Sequence, residues 1–248
     1  MSLPIRLDVE FLQSVIPTGC KPLGKLLGGG LPTGRVSLVY GEADTGKSSF
    51  AIQCAVNCAR IGYKTIFVDS DGSFSTRRFD QIAYRDSLEI APLIFLVKPT
   101  TFQEQALAID QLDEYITGRV GFLVVDTITS LYGVEIGNRR EAFALNRELN
   151  RQVACLAQAA ASHEIAVLIT SQVRSVFEAG VTNLEPVATR VLKFWSDIVL
   201  DFRHTEQTRM IRVCLEKSPR RRRSVSRYLS LGENGIGENN QQLRSPSM

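Results

Sequence analysis

The stretch Val39–Phe50 reads VYGEADTGKSSF and decides the fold. It sets Gly41, four intervening residues, then Gly46, Lys47 and Ser48. The apolar run RVSLVY (Arg35 to Tyr40) precedes it and predicts a buried strand. Lys47 to Ile61 follows and predicts a helix. A glycine-rich turn between strand and helix lets backbone amides and the helix N-terminus face an anion. The candidate phosphate ligands are Gly41, Glu42, Ala43, Asp44, Thr45, Gly46, Lys47, Ser48 and Ser49. In this motif the lysine reaches the β- and γ-phosphates and the serine hydroxyl binds Mg2+.

Outward from the motif, short apolar runs alternate with longer amphipathic segments. KTIFVD (Lys64 to Asp69), PLIFLVK (Pro92 to Lys98), VGFLVVD (Val120 to Asp126) and IAVLITSQ (Ile165 to Gln172) read as strands. Thr101 to Ile116 and Arg140 to Ser162 read as helices. This alternation predicts an α/β fold with a mostly parallel central sheet flanked by helices. DIVLDFRH, RMIRVCLEK and SVSRYLSL then predict three antiparallel strands added to the sheet edge. Residues 1–235 read as one core with 1–17 as a lead segment, and 236–248 as a disordered polar tail.

A chain of 248 residues suits one large domain. No apolar run reaches the ~18 residues of a membrane helix, and the first residues lack a signal-peptide core. A cytoplasmic protein without a membrane partner is expected. The five cysteines are scattered, and Cys54 and Cys58 fit two buried small hydrophobes better than a metal pair. Neither His163 nor His204 has companions at metal-ligand spacing.

A nucleotide cradle needs a carboxylate to orient the metal. Asp126 ends an apolar strand at the sheet edge where the cradle sits. Hydrolysis needs a group that positions water. Asp71, just past the strand that ends at Asp69, is the candidate acid, and Gln172 is a candidate γ-phosphate sensor. For both residues, simple loop capping is the competing reading.

Together TGCKPLGKLLGGGLPTG, FVDSDGSFSTRRF, LVVDTITSLYGVE and LNRELNRQVACLAQAAASHEIAVLITSQV resemble the RecA/RadA recombinase superfamily, in particular its short archaeal members. The resemblance covers roughly residues 18–236. It implies a RecA-like ATPase core using ATP and Mg2+ in DNA recombination and repair. It also implies DNA, other recombination or repair proteins, and further copies of the chain as partners. Three departures follow. The family's catalytic glutamate is replaced by Asp71, one methylene shorter; a displacement of ~1 Å can cost on the order of a hundredfold in rate. Only about twenty residues precede the entry segment, so the family's N-terminal domain and docking linker are not expected. The two DNA loops are poor in positive charge: Gly133 stands where an arginine is common, and VRSVFEAGVTNLEP holds Glu178 and Glu185 with only Arg174 as a cation.

A replacement is local. Thr205 to Ser230 holds eight Lys or Arg and two acids, whereas the whole chain is only +3. Lys217 and Arg220, Arg221, Arg222 and Arg223 fall in a turn between two predicted strands. Arginines in a turn can fan out to several phosphates, which makes the turn a candidate DNA site. A solvated hairpin is the plain alternative. Arg139, Arg140, Arg147 and Arg151 could extend a positive face or be ordinary helix-surface charge. The function expected is an accessory DNA-binding protein with weak ATP hydrolysis and no strand exchange. The alternative is a KaiC-like regulatory ATPase module that acts through proteins without touching DNA.

Overall fold

A computed structural model describes residues 14–135, 139–178, 181–221 and 223–238, with the side chains of 139–141, 174–178 and 181–186 excepted. Strands β1 (Val15–Ile16) and β2 (Leu31–Pro32) pair antiparallel around helix α1 (Lys21–Leu27). Then β3 (Arg35–Gly41) leads into α2 (Lys47–Arg60), and β4 (Lys64–Asp69) into α3 (Thr76–Ala83) and α4 (Ser87–Ile90). Next come β5 (Ile94–Val97) with α5 (Phe102–Asp110) and α6 (Leu112–Tyr115), and β6 (Val120–Asp126) with α7 (Ser130–Glu135) and α8 (Arg139–His163). The chain closes with β7 (Ala166–Glu178), β8 (Val181–Pro186), α9 (Thr189–Trp195), β9 (Ile198–His204), β10 (Met210–Lys217), β11 (Val225–Gly232) and β12 (Gly235–Glu238).

One sheet runs β12-β11-β10-β9-β3-β7-β6-β4-β5, with β8 paired to β7. The pairs from β9 through β3, β7, β6, β4 to β5 are parallel, whereas β9 to β12 and β7 with β8 are antiparallel. The expected α/β core with added antiparallel strands is therefore observed. Alternating strand residues bury two separate cores. Val39, Phe67, Leu168, Leu200 and Val213 pack with α1 and α2, and Leu38, Val68, Val125 and Ile169 pack with α5, α8 and α9. Central strands buried on both faces explain the unbroken apolar runs.

Several expectations need correction. Composition assigns residues 236–238 to the tail, but they form part of β12. Ile236 is buried, its N–H donates to Gln53 Oε1 (2.7 Å), and its carbonyl accepts from Gln53 Nε2 (3.0 Å). A single isoleucine between glycines has no period to read, so only its partner on α2 reveals the strand. The rest of the tail and the lead residues 1–13 lie outside the described residues. The helix expected from Thr101 to Ile116 divides after Asp110. The strand expected to end at Gln172 continues to Glu178, and β8 pairs with it where a loop was expected. Ladder pairing supplied by a distant segment overrides the local polar composition.

At the far edge, β5 has no outer partner among the described residues, and Phe95, Leu96 and Val97 are exposed beside a groove lined by Ile66, Leu112 and Tyr115. No helix among the described residues is long and apolar enough to cross a membrane.

Candidate nucleotide site and the arginine turn

The turn between β3 and α2 is shaped by close backbone approach. A Cβ on Gly41 would lie 2.1 Å from the Phe202 carbonyl oxygen, so only glycine lets β9 pair alongside there. Gly46 has φ +86° and caps α2 without a side-chain acceptor, which leaves the first helix amides available to an anion. Thr45 Oγ1 (2.8 Å) and Lys47 Nζ (2.6 Å) both donate to the Glu42 carbonyl and hold the turn closed. His204, ending β9, braces it from outside: His204 Nε2 lies 2.7 Å from the Ala43 carbonyl, and the His204 N–H donates to Glu42 Oε2 (3.2 Å). A cavity of about 450 Å³ opens here, lined by Asp44, Gly46, Lys47, Ser48, Ser49, Ser73 and Leu231.

Burial lowers the Lys47 pKa, and the carboxylates of Asp126, Asp44, Asp71 and Glu42 act against that shift. The desolvation of the ammonium is thus only partly offset by these carboxylates. Asp126 is fully buried at the end of β6. Burial raises its pKa, and hydroxyl hydrogen bonds from Thr170, Ser48 and Ser73 pull it back. Thr170 Oγ1 donates a short bond to Asp126 Oδ1, and Ser73 Oγ donates to Oδ2 (3.2 Å). Ser73 Oγ also lies 3.1 Å from Ser48 Oγ. One carboxylate with neighbouring hydroxyls is an all-oxygen donor set, which fits Mg2+ held jointly with phosphate oxygens.

The acid-bearing loop follows β4. Asp69 sits opposite Asp126 in the β4–β6 ladder and is buried, with Lys98 at 3.8 Å. Burial raises its pKa, and its Oδ1 accepts from the Phe74 N–H (3.3 Å). Asp69 therefore shapes the loop from within. Asp71 is exposed, and its Oδ1 accepts from the Ser73 N–H (3.0 Å), a loop-capping bond. Gln172 is exposed on β7 directly opposite Gly41, the first residue of the cradle.

Ser73, Thr170 and Arg78 are neighbours of the candidate site that motif reading misses. Arg78 Nε donates to Ser49 Oγ (3.0 Å) and Nη1 to the Glu233 carbonyl (2.9 Å), joining α2 to the β11–β12 turn. A spacing signal exists for Ser73 and Thr170, each two residues from a candidate residue, Asp71 and Gln172. Neither side chain belongs to the motif, so tertiary contact alone selects them.

The arginine turn lies elsewhere. Because β10 runs antiparallel to β9, the turn after Lys217 falls at the opposite end of the sheet from the cradle. At roughly 3.3 Å per residue the strands between them span about 20 Å. Arg220, Arg221 and Arg223 are exposed, whereas Arg222 lies outside the described residues. Arg220 Nη1 donates to the Gly28 carbonyl at the end of α1 (3.1 Å). Lys217 Nζ donates to the Lys193 carbonyl near the end of α9 (2.9 Å). Both cations sit at helix C-termini, where positive charge is favoured. The Arg174 side chain lies outside the described part of the structure. Arg151 pairs with Asp110 and Glu148, so it is an ordinary helix-surface charge.

A glycine-rich turn between a parallel strand and a helix, with a buried carboxylate two strands away in the sheet, defines a P-loop protein of RecA-like architecture. The chain belongs to the Rad51 family, whose model matches residues 12–239. It is similar to proteins named "DNA repair and recombination protein RadB". The protein of Methanococcoides burtonii is 35% identical over 197 residues, covering 79% of this chain and 86% of that protein. That of Methanosphaera stadtmanae is 33% identical, covering 75% and 80%. That of Methanococcus maripaludis strain C5 is 28% identical, covering 86% and 96%. The superfamily resemblance read from the motifs is borne out.

Proposed function

We propose that the chain is an ATP-binding and DNA-binding accessory protein of recombination and repair. The observation that carries this reading is the convergence of Lys47, Ser48, Ser73 and Asp126 on the cradle, in a chain of the Rad51 family. Bound ATP with Mg2+ would supply the phosphoanhydride to be cleaved and the charge that orients it. Gly41 to Ser49 would hold the phosphates, Lys47 would neutralise them, and Ser48 and Asp126 would hold the metal. The RadB names of the relatives favour DNA over the regulatory alternative that acts through proteins. The β5 edge, which has no outer partner among the described residues and carries exposed apolar side chains, supports assembly with a second copy.

The DNA reading is tested by affinity against salt. Neutralising Arg220, Arg221, Arg222 and Arg223 together should weaken duplex binding and lower the log–log salt slope by about 0.9 for each phosphate no longer neutralised. ATP affinity should not change, because the turn and the cradle lie at opposite ends of the sheet. An unaltered slope would place the DNA surface elsewhere.

Hydrolysis is proposed to be slow, because Asp71 is short for its task. Replacing Asp71 with glutamate should raise steady-state phosphate release several-fold with little change in nucleotide affinity. Asp71→Asn keeps an oxygen acceptor for the Ser73 N–H but removes the charge, and it should lower turnover. Equal rates for the three proteins would reduce Asp71 to a loop cap.

A further inference from the structure

Ser73, from the loop after β4, touches both residues assigned to the metal. Its Oγ lies 3.1 Å from Ser48 Oγ and donates to Asp126 Oδ2 (3.2 Å). The Ser48 hydroxyl also bonds the Asp126 carboxylate. Three oxygens, from α2, β6 and the acid-bearing loop, therefore meet pairwise. Thr170 Oγ1 occupies the other carboxylate oxygen, Oδ1, so the serines share Asp126 through the side that meets the cradle.

The backbone on either side of Ser73 sets its hydroxyl in place. The Ser73 N–H donates to Asp71 Oδ1 (3.0 Å), and the Phe74 N–H donates to Asp69 Oδ1 (3.3 Å). The Phe74 ring stands edge-on against Phe67 of β4, with centroids 5.0 Å apart. Gly72 makes the turn before it at φ +71°, a conformation open to glycine.

The protons in this cluster do not match its contacts. Each serine hydroxyl carries one proton, and an ionised carboxylate carries none. Three contacts thus share two protons, and one contact always sets lone pairs against each other. A cation bonded to all three oxygens removes that conflict. The observed spacings suit one, because neighbouring ligands of an octahedral Mg2+ at ~2.1 Å stand ~3 Å apart.

We propose that Ser73 Oγ is a third protein ligand of the Mg2+ that accompanies ATP, completing one face of its shell with Ser48 and Asp126. The proposal rests on the nucleotide reading above and adds a ligand from outside the glycine-rich motif. Phosphate oxygens and water would fill the other positions. The hydroxyl should then matter to nucleotide binding only when the cation is present.

The test is titration with a fluorescent ATP analogue, in EDTA and at saturating Mg2+, for the wild type, Ser73→Ala and Ser73→Thr. In the alanine protein the gain in affinity brought by Mg2+ should fall by roughly tenfold, as is usual when a group supporting a bound metal is lost. Its affinity in EDTA should stay close to that of the wild type. Threonine keeps the hydroxyl and should restore most of the Mg2+ response. An undiminished response in the alanine protein would overturn the proposal. So would an equal loss with and without Mg2+, which would reduce Ser73 to a shaper of the loop. A threonine protein as impaired as the alanine protein would overturn it too, because the hydroxyl would then not be the group that counts. If the wild type binds the analogue but ignores Mg2+, the metal assignment to Ser48 and Asp126 fails and this proposal with it. If the wild type does not bind the analogue at all, the nucleotide reading itself fails.

Discussion

Replacing Lys47 with alanine is expected to lower ATP affinity at least tenfold while the fold survives. The side chain is buried and its ammonium is held at the mouth of the cradle by the Glu42 carbonyl. Burial already disfavours its charge, and the nearby carboxylates only partly offset this. A triphosphate would add further negative charge at close range. Charge-assisted hydrogen bonds of this kind contribute about 1.5–3 kcal/mol, which is a factor of ten to a hundred or more in affinity. The free protein loses only one bond to a backbone carbonyl, so its thermal midpoint should move little. Titration with a fluorescent ATP analogue in the presence of Mg2+ reads the effect. Affinity equal to that of the wild type would remove the cradle from nucleotide binding.

The largest loss of stability is expected from Phe202→Ala. Phe202 is fully buried on β9, and its ring lies 5.7 Å from that of Phe50, on the buried face of α2. Truncating a buried phenylalanine typically costs about 3–5 kcal/mol, because the transfer loss adds to an unfilled cavity. In a domain of this size the midpoint should fall by about 10 °C or more. The cavity would lie under the helix whose N-terminus opens onto the cradle, so nucleotide affinity is expected to fall as well. Denaturant unfolding gives the first quantity and nucleotide titration the second. A loss below about 1 kcal/mol would mean that the packing of β9 against α2 contributes little.

The two variants separate what the motif supplies from what supports it. Lys47 is part of a contiguous sequence signal, and its role can be read without coordinates. Phe202 lies about 160 positions further on in the sequence. Nothing in DIVLDFRH marks it as the residue behind the cradle. The contact between its carbonyl and Gly41 arises only because β9 pairs with β3.

Local periodicity and motif spacing determined the strand-turn-helix around Lys47, the bounds of β4 and β6, the alternation of strands and helices, and the position of Asp126 at a strand end. Each rests on residues within one element, where side-chain period and turn chemistry act directly. Tertiary structure alone decided the rest. It drew Ile236 into an edge strand through Gln53, and it extended β7 by pairing it with β8. It brought Ser73 and Thr170 onto Asp126, and it sent the arginine turn to the end of the sheet away from the cradle. These outcomes depend on which strands pair and in which direction. Pairing is settled by contacts between distant segments, and the period of a single segment carries no record of it.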